Sequence, residues 1–110
     1  MGLVKSEIFN KEQNTLANYA KVLGHPARIA ILQYLFKTPS CICGDIVNEI
    51  GLAQPTISQH LKELKNMGLI QGQIEGNSIC YCIHKKNWTQ MKKNLTDFLN
   101  VSLITKFNCC

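Results

Sequence analysis

Residues 41–67 read CICGDIVNEIGLAQPTISQHLKELKNM, and this stretch decides the fold. Ser40 is a suitable N-cap for a helix over Cys41–Ile50, and Gly51-Leu52-Ala53 then forms a tight turn. A second helix is predicted over Gln54–Met67, because apolar residues recur there at helical spacing. Two helices joined by a three-residue turn that contains glycine indicate a helix-turn-helix motif.

Helices and a hairpin flank this motif on both sides. The predicted elements are helices over 6–23 and 27–36, strands near 70–74 and 79–83, and a last helix over 87–104. Glu75-Gly76-Asn77-Ser78 between the strands suits a two-residue hairpin turn. We therefore predict a mainly α-helical fold with a β-hairpin wing, a winged helix-turn-helix in the order α-α-α-α-β-β-α, as one domain over residues 1–110.

The first and last predicted helices both carry apolar stripes. Leu16 and Leu23 belong to the first stripe, and Met91, Leu95 and Phe98 to the second. The two helices could cover a single core, or they could pack against a second subunit. We favour a homodimer through the first and last helices, since so small a core would leave part of both stripes exposed to water.

The chain has 110 residues and an excess of positive charge, with 12 Lys and Arg against 7 Asp and Glu and a formal net charge of +5. A small basic domain indicates a polyanionic partner, either nucleic acid or an acidic membrane surface. No apolar run is long enough to span a membrane, and residues 1–13 turn polar too early for a secretory signal. We therefore expect a cytoplasmic protein with no membrane partner.

Polar side chains fill the outer face near the start of the second helix of the motif. Such helices place this end in the major groove, where glutamine can bond an adenine edge and lysines further along can meet phosphates. The alternative is a merely solvated helix face, but the basic charge and the hairpin favour double-stranded DNA. The predicted DNA-contacting residues are Gln54, Thr56, Ser58, Gln59, His60, Lys62 and Lys65.

Several segments together resemble one known family. They are LGHPARI at 23–29, CICGDI at 41–46, QPTISQHLKEL at 54–64, GLI at 68–70 and YCI at 81–83. With these motifs nearly the whole chain resembles the ArsR/SmtB family of winged helix-turn-helix metalloregulatory repressors, in its arsenic-responsive form. The resemblance implies a homodimer that represses a promoter from its operator until an inducer binds, and then releases the DNA.

The six cysteines occur in three close pairs, which are Cys41 and Cys43, Cys80 and Cys82, and Cys109 and Cys110. Without an export signal, clustered cysteines indicate metal ligands or redox sensors rather than structural disulfides. Their thiolates are soft ligands that suit As(III), Sb(III), Cd(II), Pb(II), Zn(II) or Cu(I).

Cys41 and Cys43 are the first candidates for metal ligands. In the first turn of a helix the positive end of the dipole would lower the pKa of a thiol. Residues two apart on a helix point about 200° apart, so one ion could reach both only if this turn loosened. We expect the strain of holding both sulfurs on one ion to tilt the second helix of the motif, which contacts the bases, away from the DNA.

Two sulfurs rarely complete a site, so other cysteines must contribute. The resemblance implies that the last helix can supply further ligands, so we expect Cys109, Cys110 or both to close the site, from the same subunit or the other one. Three thiolates without a nitrogen ligand favour As(III) or Sb(III). The alternative for this pair is a redox-labile tail. Cys80 and Cys82 share one face of their strand, with Ile79, Tyr81 and Ile83 on the opposite, buried face. They could bind an ion as exposed thiols, but we favour small polarisable spacers.

Other functions compete with a repressor that As(III) or Sb(III) releases. Oxidation or persulfidation of the thiols could replace the ion, and Cd(II), Pb(II) or Zn(II) could be the inducer. A protein of another class would buffer metal without acting on promoters. An enzyme with a small-molecule substrate is not expected, because neither a pocket-forming segment nor a nucleophile motif accompanies the cysteines.

Overall fold

A computed structural model describes residues 8–37, 41–43, 46–76 and 78–103. Its elements in chain order are α1 (Lys11–Leu23), α2 (Pro26–Leu35), β1 (Ile42–Cys43), α3 (Ile46–Ile50), α4 (Gln54–Asn66), β2 (Ile70–Glu75), β3 (Ser78–Ile83) and α5 (Lys85–Leu99). Helices α3 and α4 with the turn between them form the helix-turn-helix, and β2 and β3 form the wing. The predicted winged helix-turn-helix fold is confirmed.

Side chains before the helices fix where they begin. Asn10 accepts a hydrogen bond from the Gln13 N–H at 2.8 Å, and the Gln13 side chain accepts one from the Asn10 N–H at 3.0 Å. This capping box starts α1 later than the predicted residue 6. His25 accepts from the Ala27 N–H at 3.1 Å and precedes Pro26 at the first position of α2.

The segment from Cys41 to Cys43 contradicts the prediction of a helix over Cys41–Ile50. Ile42 and Cys43 form β1, and α3 begins only at Ile46. The alternation of Cys-Ile-Cys also suits a strand, in which Ile42 packs against the core while the positions on either side of it take the other face. Ser40, the predicted N-cap, lies outside the described residues.

Strand β1 pairs antiparallel with β3, giving a sheet in the order β1-β3-β2. The Cα partners are Ile42 with Tyr81 and Cys43 with Cys80. The hairpin register runs from Ile70 opposite Ile83 to Glu75 opposite Ser78, and Gly76 between them has φ +61°. This confirms the predicted two-residue turn, whose left-handed position glycine accepts without strain.

The core lies between the helix-turn-helix, α2 and the inner face of the sheet. Its buried side chains are Val22, Ile31, Leu32, Leu35, Ile46, Ile57, Leu61, Leu64, Leu69, Ile70 and Met91. The terminal helices cover this core only in part. Tyr19 and Leu23 of α1 and Trp88 and Leu95 of α5 pack against it, whereas Phe98 near the end of α5 is 58% exposed.

His60 of α4 is buried, so its predicted place on the DNA-contacting face is wrong. It follows Ile57 by three positions and precedes Leu64 by four, a spacing that puts it on the inner stripe of the helix. Its Nδ1 accepts a hydrogen bond from the Arg28 Nε–H at 3.2 Å, and its ring centroid lies 4.3 Å from that of His25. Arg28 also donates to the Val22 carbonyl, so this group joins α1, α2 and α4.

Acidification should weaken this junction. Burial, followed by the charges of His25 and Arg28, lowers the pKa of His60 below its ordinary value of 6.5. The unfolded chain therefore binds a proton on this histidine more readily than the folded chain does. The contribution of neutral His60 to the free energy of unfolding is complete above about pH 6.5, and it is lost as the pH falls through the lower pKa of the folded state. In urea unfolding across this range, the free energy of unfolding should fall with acidification in the wild type and fall less steeply in His60→Gln.

Gln33→Ala is the matched control, because it changes an exposed side chain of α2 that does not titrate and leaves the contact between Arg28 and His60 in place. The control should keep the wild-type slope of stability against pH. Equal slopes in His60→Gln and the wild type would contradict this role of His60.

Candidate DNA interface and cysteine cluster

Helix α4 presents a polar outer face to solvent. The turn before it contains Gly51 at φ +84°, and buried Ile57, Leu61 and Leu64 hold its inner face on the core. With His60 removed from the predicted set, the exposed side chains are Gln54, Thr56, Ser58, Gln59, Lys62 and Lys65. They form a continuous surface along one helix, with amides and hydroxyls towards its N-terminus and lysines beyond.

Hydrogen bonds within α4 hold two of the glutamines. Gln54 Nε2 donates to Ser58 Oγ at 3.0 Å, and Gln59 Nε2 donates to Glu63 Oε1 at 3.0 Å. These partners are exposed or half-buried and lie one helical turn away, so the amides can exchange them for a base edge without uncovering a buried group. This chemistry is suited to reading hydrogen-bond donors and acceptors in a groove.

The wing and the start of α5 extend this surface with different chemistry. Lys85 and Lys86 are exposed in the first turn of α5, directly after the wing. At the far end of the hairpin, Ile74 and Ile79 face each other across the strands and are 82% and 51% exposed. The wing therefore offers an apolar tip, and lysines suited to phosphates lie only at its base.

Cys41 and Cys82 come together where β1 meets β3. They are joined as a disulfide, with 4.3 Å between their Cα atoms and 41 residues between them in sequence. Both are half-buried. The prediction that Cys41 and Cys43 occupy the first turn of a helix is wrong, so they do not lie at the positive end of a helix dipole, and the two residues are not turned apart as on a helix.

Cys80 and Cys82 lie on the sheet face that points away from the core, as predicted, because Tyr81 and Ile83 between and beyond them pack against the core. Their predicted exposure is wrong, since Cys80 is fully buried and disulfide-bonded and Cys82 is half-buried. Ile79, predicted to be buried with Tyr81 and Ile83, is exposed because it lies at the tip of the wing.

Two glutamines of β2 line the same face of the sheet. Gln71 lies opposite Cys82 and Gln73 opposite Cys80 in the register. Gln71 Nε2 donates to the Cys82 sulfur at 3.5 Å, and Gln73 Oε1 lies 3.4 Å from the Cys41 sulfur. The cysteines therefore have polar neighbours. The sequence indicates these neighbours, because Gln71 and Gln73 alternate with apolar residues along β2.

The remaining predicted ligands cannot be placed in this cluster. Cys109 and Cys110 lie outside the described residues. Among the side chains that the structure describes, no group of three or more His, Cys, Asp and Glu is arranged to hold a metal ion. Because a thiolate is the form that binds metal, the bonded sulfurs of Cys41 and Cys82 require reduction first.

Within the described ranges, no helix combines the length and the apolar character needed to cross a bilayer.

The family model for the bacterial regulatory proteins of the arsR family matches residues 25–71. The arsenical resistance operon repressor of Staphylococcus xylosus is 32% identical over 87 residues, which cover 79% of this chain and 82% of that protein.

Solved structures share the fold over most of the chain. NolR from Sinorhizobium fredii has a TM-score of 0.64 at 24% identity and covers 93% of this chain and 100% of its own. Rv0081 from Mycobacterium tuberculosis has a TM-score of 0.63 at 26% identity and covers 84% of this chain and 96% of its own.

The family match spans α2, the helix-turn-helix and the first residues of β2, which is the part that carries the exposed face of α4. Proteins of this family are DNA-binding transcriptional regulators and not enzymes. With a family match across its helix-turn-helix and a 32% identical relative that covers most of its length, the chain belongs to the arsR family of bacterial regulatory proteins, also called ArsR/SmtB.

Proposed function

We propose that the chain is a cytoplasmic, homodimeric repressor that leaves its operator when As(III) or Sb(III) binds the thiolates of Cys41 and Cys43. The observation that carries this proposal is the place of these cysteines, in and beside β1, which leads into the helix-turn-helix. The relative from Staphylococcus xylosus, named as the repressor of an arsenical resistance operon, supports arsenic as the inducer.

The DNA-binding part of the proposal rests on α4. Gln54 and Gln59 carry the amides that suit adenine edges, and Lys62 and Lys65 carry the charges that suit phosphates. All four side chains are exposed. The N-terminal half of α4 would therefore recognise the bases. The lysines of α4 and α5 would add affinity that depends on salt and not on the base sequence.

The homodimer in the proposal rests on apolar side chains that a single chain leaves in water. Around the ends of α1 and α5 they are Ile8, Phe9, Phe98, Leu99, Val101 and Leu103. Large apolar side chains exposed together at the ends of two helices are typical of an interaction surface, and a second copy would cover them. Two copies would present two α4 helices to half-sites about one helical turn, or 34–36 Å, apart.

Gln59→Ala should weaken binding to the operator by about 1–3 kcal/mol, or roughly 5- to 150-fold in Kd, if its amide makes two hydrogen bonds to a base. Gln33→Ala on α2 is the matched control, since it removes another exposed glutamine from a helix outside the motif. Fluorescence anisotropy with the operator at fixed salt measures both. Equal affinities for Gln59→Ala and Gln33→Ala would contradict the role of Gln59.

The ion-binding part of the proposal needs deprotonated sulfur. Arsenous acid exchanges a hydroxyl group for each cysteine sulfur, and that hydroxyl leaves as water with the proton that the thiol gives up. Cys41 and Cys43 would supply two sulfurs, and Cys109 and Cys110 remain candidates for the third. Cd(II), Pb(II) and Zn(II) are alternative inducers because their affinity for thiolates is also high.

Arsenite should release reduced wild-type protein from its operator under anaerobic conditions. In Cys41→Ser and Cys43→Ser the operator affinity should stay close to wild type while arsenite no longer releases the DNA, because one ligand is missing. A chain ending at Asn108 tests whether Cys109 and Cys110 take part. If both serine variants respond to arsenite like the wild type, the inducer acts elsewhere and the proposal fails.

One observation favours a second candidate function, a redox-sensing repressor. The Cys41–Cys82 disulfide joins the entry of the helix-turn-helix to the wing. In forming it, two thiols give two electrons and two protons to an oxidant such as hydrogen peroxide, which becomes water. If peroxide releases DNA from reduced protein, dithiothreitol restores binding and arsenite has no effect, this second function replaces the first.

A further inference from the structure

We infer that the wing supplies the missing ligands, so that Cys82 and Cys80 join Cys41 and Cys43 in one thiolate site for a single thiophilic ion. The inference rests on the proposed function, since it names the ligands of the same inducer site. It replaces Cys109 and Cys110 as the closing ligands with residues of β3.

The pairing of β1 with β3 places the two Cys-x-Cys segments side by side. Cys43 has its Cα opposite that of Cys80, and the same register continues to Cys41 beside Cys82. Residues two apart on a strand share a face, and directly opposed residues share it too. All four positions therefore fall on the single face of the sheet that points away from the core.

Once the disulfides are reduced, the spacing between opposed strand positions on this face is suited to a metal ion. Opposed residues of antiparallel strands have Cβ atoms about 4.5–5.5 Å apart, and two sulfurs bound to one zinc ion lie within about 4.6 Å, twice the Zn–S distance. Between Cys41 and Cys82 the sulfurs are already close enough to bond. An As(III) ion would take three of the sulfurs, and a tetrahedral ion such as Cd(II) would take all four.

The solvent exposure of the cysteines differs along this face, so the site has an accessible end and a buried end. Cys41 and Cys82 are half-buried and can meet an ion from solvent, whereas Cys80 is fully buried. The Gln71 amide donates a hydrogen bond to the Cys82 sulfur. A donor of this kind stabilises a thiolate and orients it, as outer-shell groups of metal sites do.

An ion held in this way would connect two parts of the chain that act on DNA. β1 ends at Cys43 and α3 begins at Ile46, so a ligand on β1 lies just before the helix-turn-helix. Cys80 and Cys82 belong to β3 of the wing. Bonds from one ion to both strands would fix the wing against the start of α3.

Cys82→Ser provides the test, with Cys109→Ser/Cys110→Ser as the matched control. Both are prepared reduced and titrated without oxygen, with arsenite and separately with Cd(II), whose thiolate charge-transfer absorption reports binding. Loss of an outer-shell group weakens metal binding about 10- to 100-fold, so loss of one of four ligands should weaken Cd(II) binding by at least about 100-fold in Cys82→Ser, whereas arsenite can keep the three remaining sulfurs. The control should bind like the wild type.

A second measurement uses the wild-type chain alone and so does not depend on the folding of a variant. Reduced wild-type protein is alkylated with and without arsenite, and the modified cysteines are identified by mass spectrometry. Cys82 is the informative residue, because it is half-buried and open to alkylation before the ion binds, whereas Cys80 is buried already. Arsenite should protect Cys82 together with Cys41.

The outcomes separate this inference from the proposed function. Protection of Cys41 and Cys43 alone, with wild-type affinity for Cd(II) in Cys82→Ser, overturns the role of the wing and leaves the proposed function in place. Loss of binding in Cys109→Ser/Cys110→Ser alone also overturns it, in favour of those two cysteines. Absence of any arsenite or Cd(II) binding by the reduced wild type overturns both.

Oxidised protein gives an additional check. The Cys41–Cys82 disulfide removes two ligands and the bonded sulfur of Cys80 removes a third, so the oxidised chain should bind arsenite at least about 100-fold more weakly than the reduced chain. Undiminished binding by the oxidised chain would overturn the inference, because Cys82 could not then be a ligand.

Discussion

The antiparallel pairing of β1 with the outer edge of β3 is the constraint on which the other features depend. It holds Ile42 against the core and ends just before α3, so it sets where the helix-turn-helix starts. It also determines which cysteines are neighbours. Without this pairing Cys41 and Cys82 would not be neighbours in space, since 41 residues separate them in sequence.

Local signals were sufficient to predict most of the fold. Pro26 and Pro55 mark the first turns of α2 and α4, and the glycine-containing turn at Gly76 fixes the hairpin. Strand β1 was missed because its partner lies far along the chain, and because a serine followed by a short polar and apolar segment also suits the start of a helix. Tertiary pairing outweighs such local preferences.

Among the site residues, chemistry was easier to predict than placement. Gln54, Gln59 and the lysines of α4 were correctly expected on the outer face of that helix. The polarity of His60 favours the outer face, whereas its spacing from Ile57 and Leu64 places it on the inner stripe. The neighbours of Cys41 could not be derived from its own surroundings, because the register of β3 decides them. The roles of Cys109 and Cys110 stay a prediction.

The inward position of Arg28 has a consequence for the base sequence that the protein can read. Arg28 is the only arginine in the chain, and its guanidinium bonds His60 and the Val22 carbonyl within the fold. The commonest contact to guanine is a guanidinium that donates hydrogen bonds to both its O6 and N7 atoms. The printed sequence has no other arginine to make this contact. Its glutamine amides suit adenine instead, so base reading by α4, as proposed above, would favour A·T pairs.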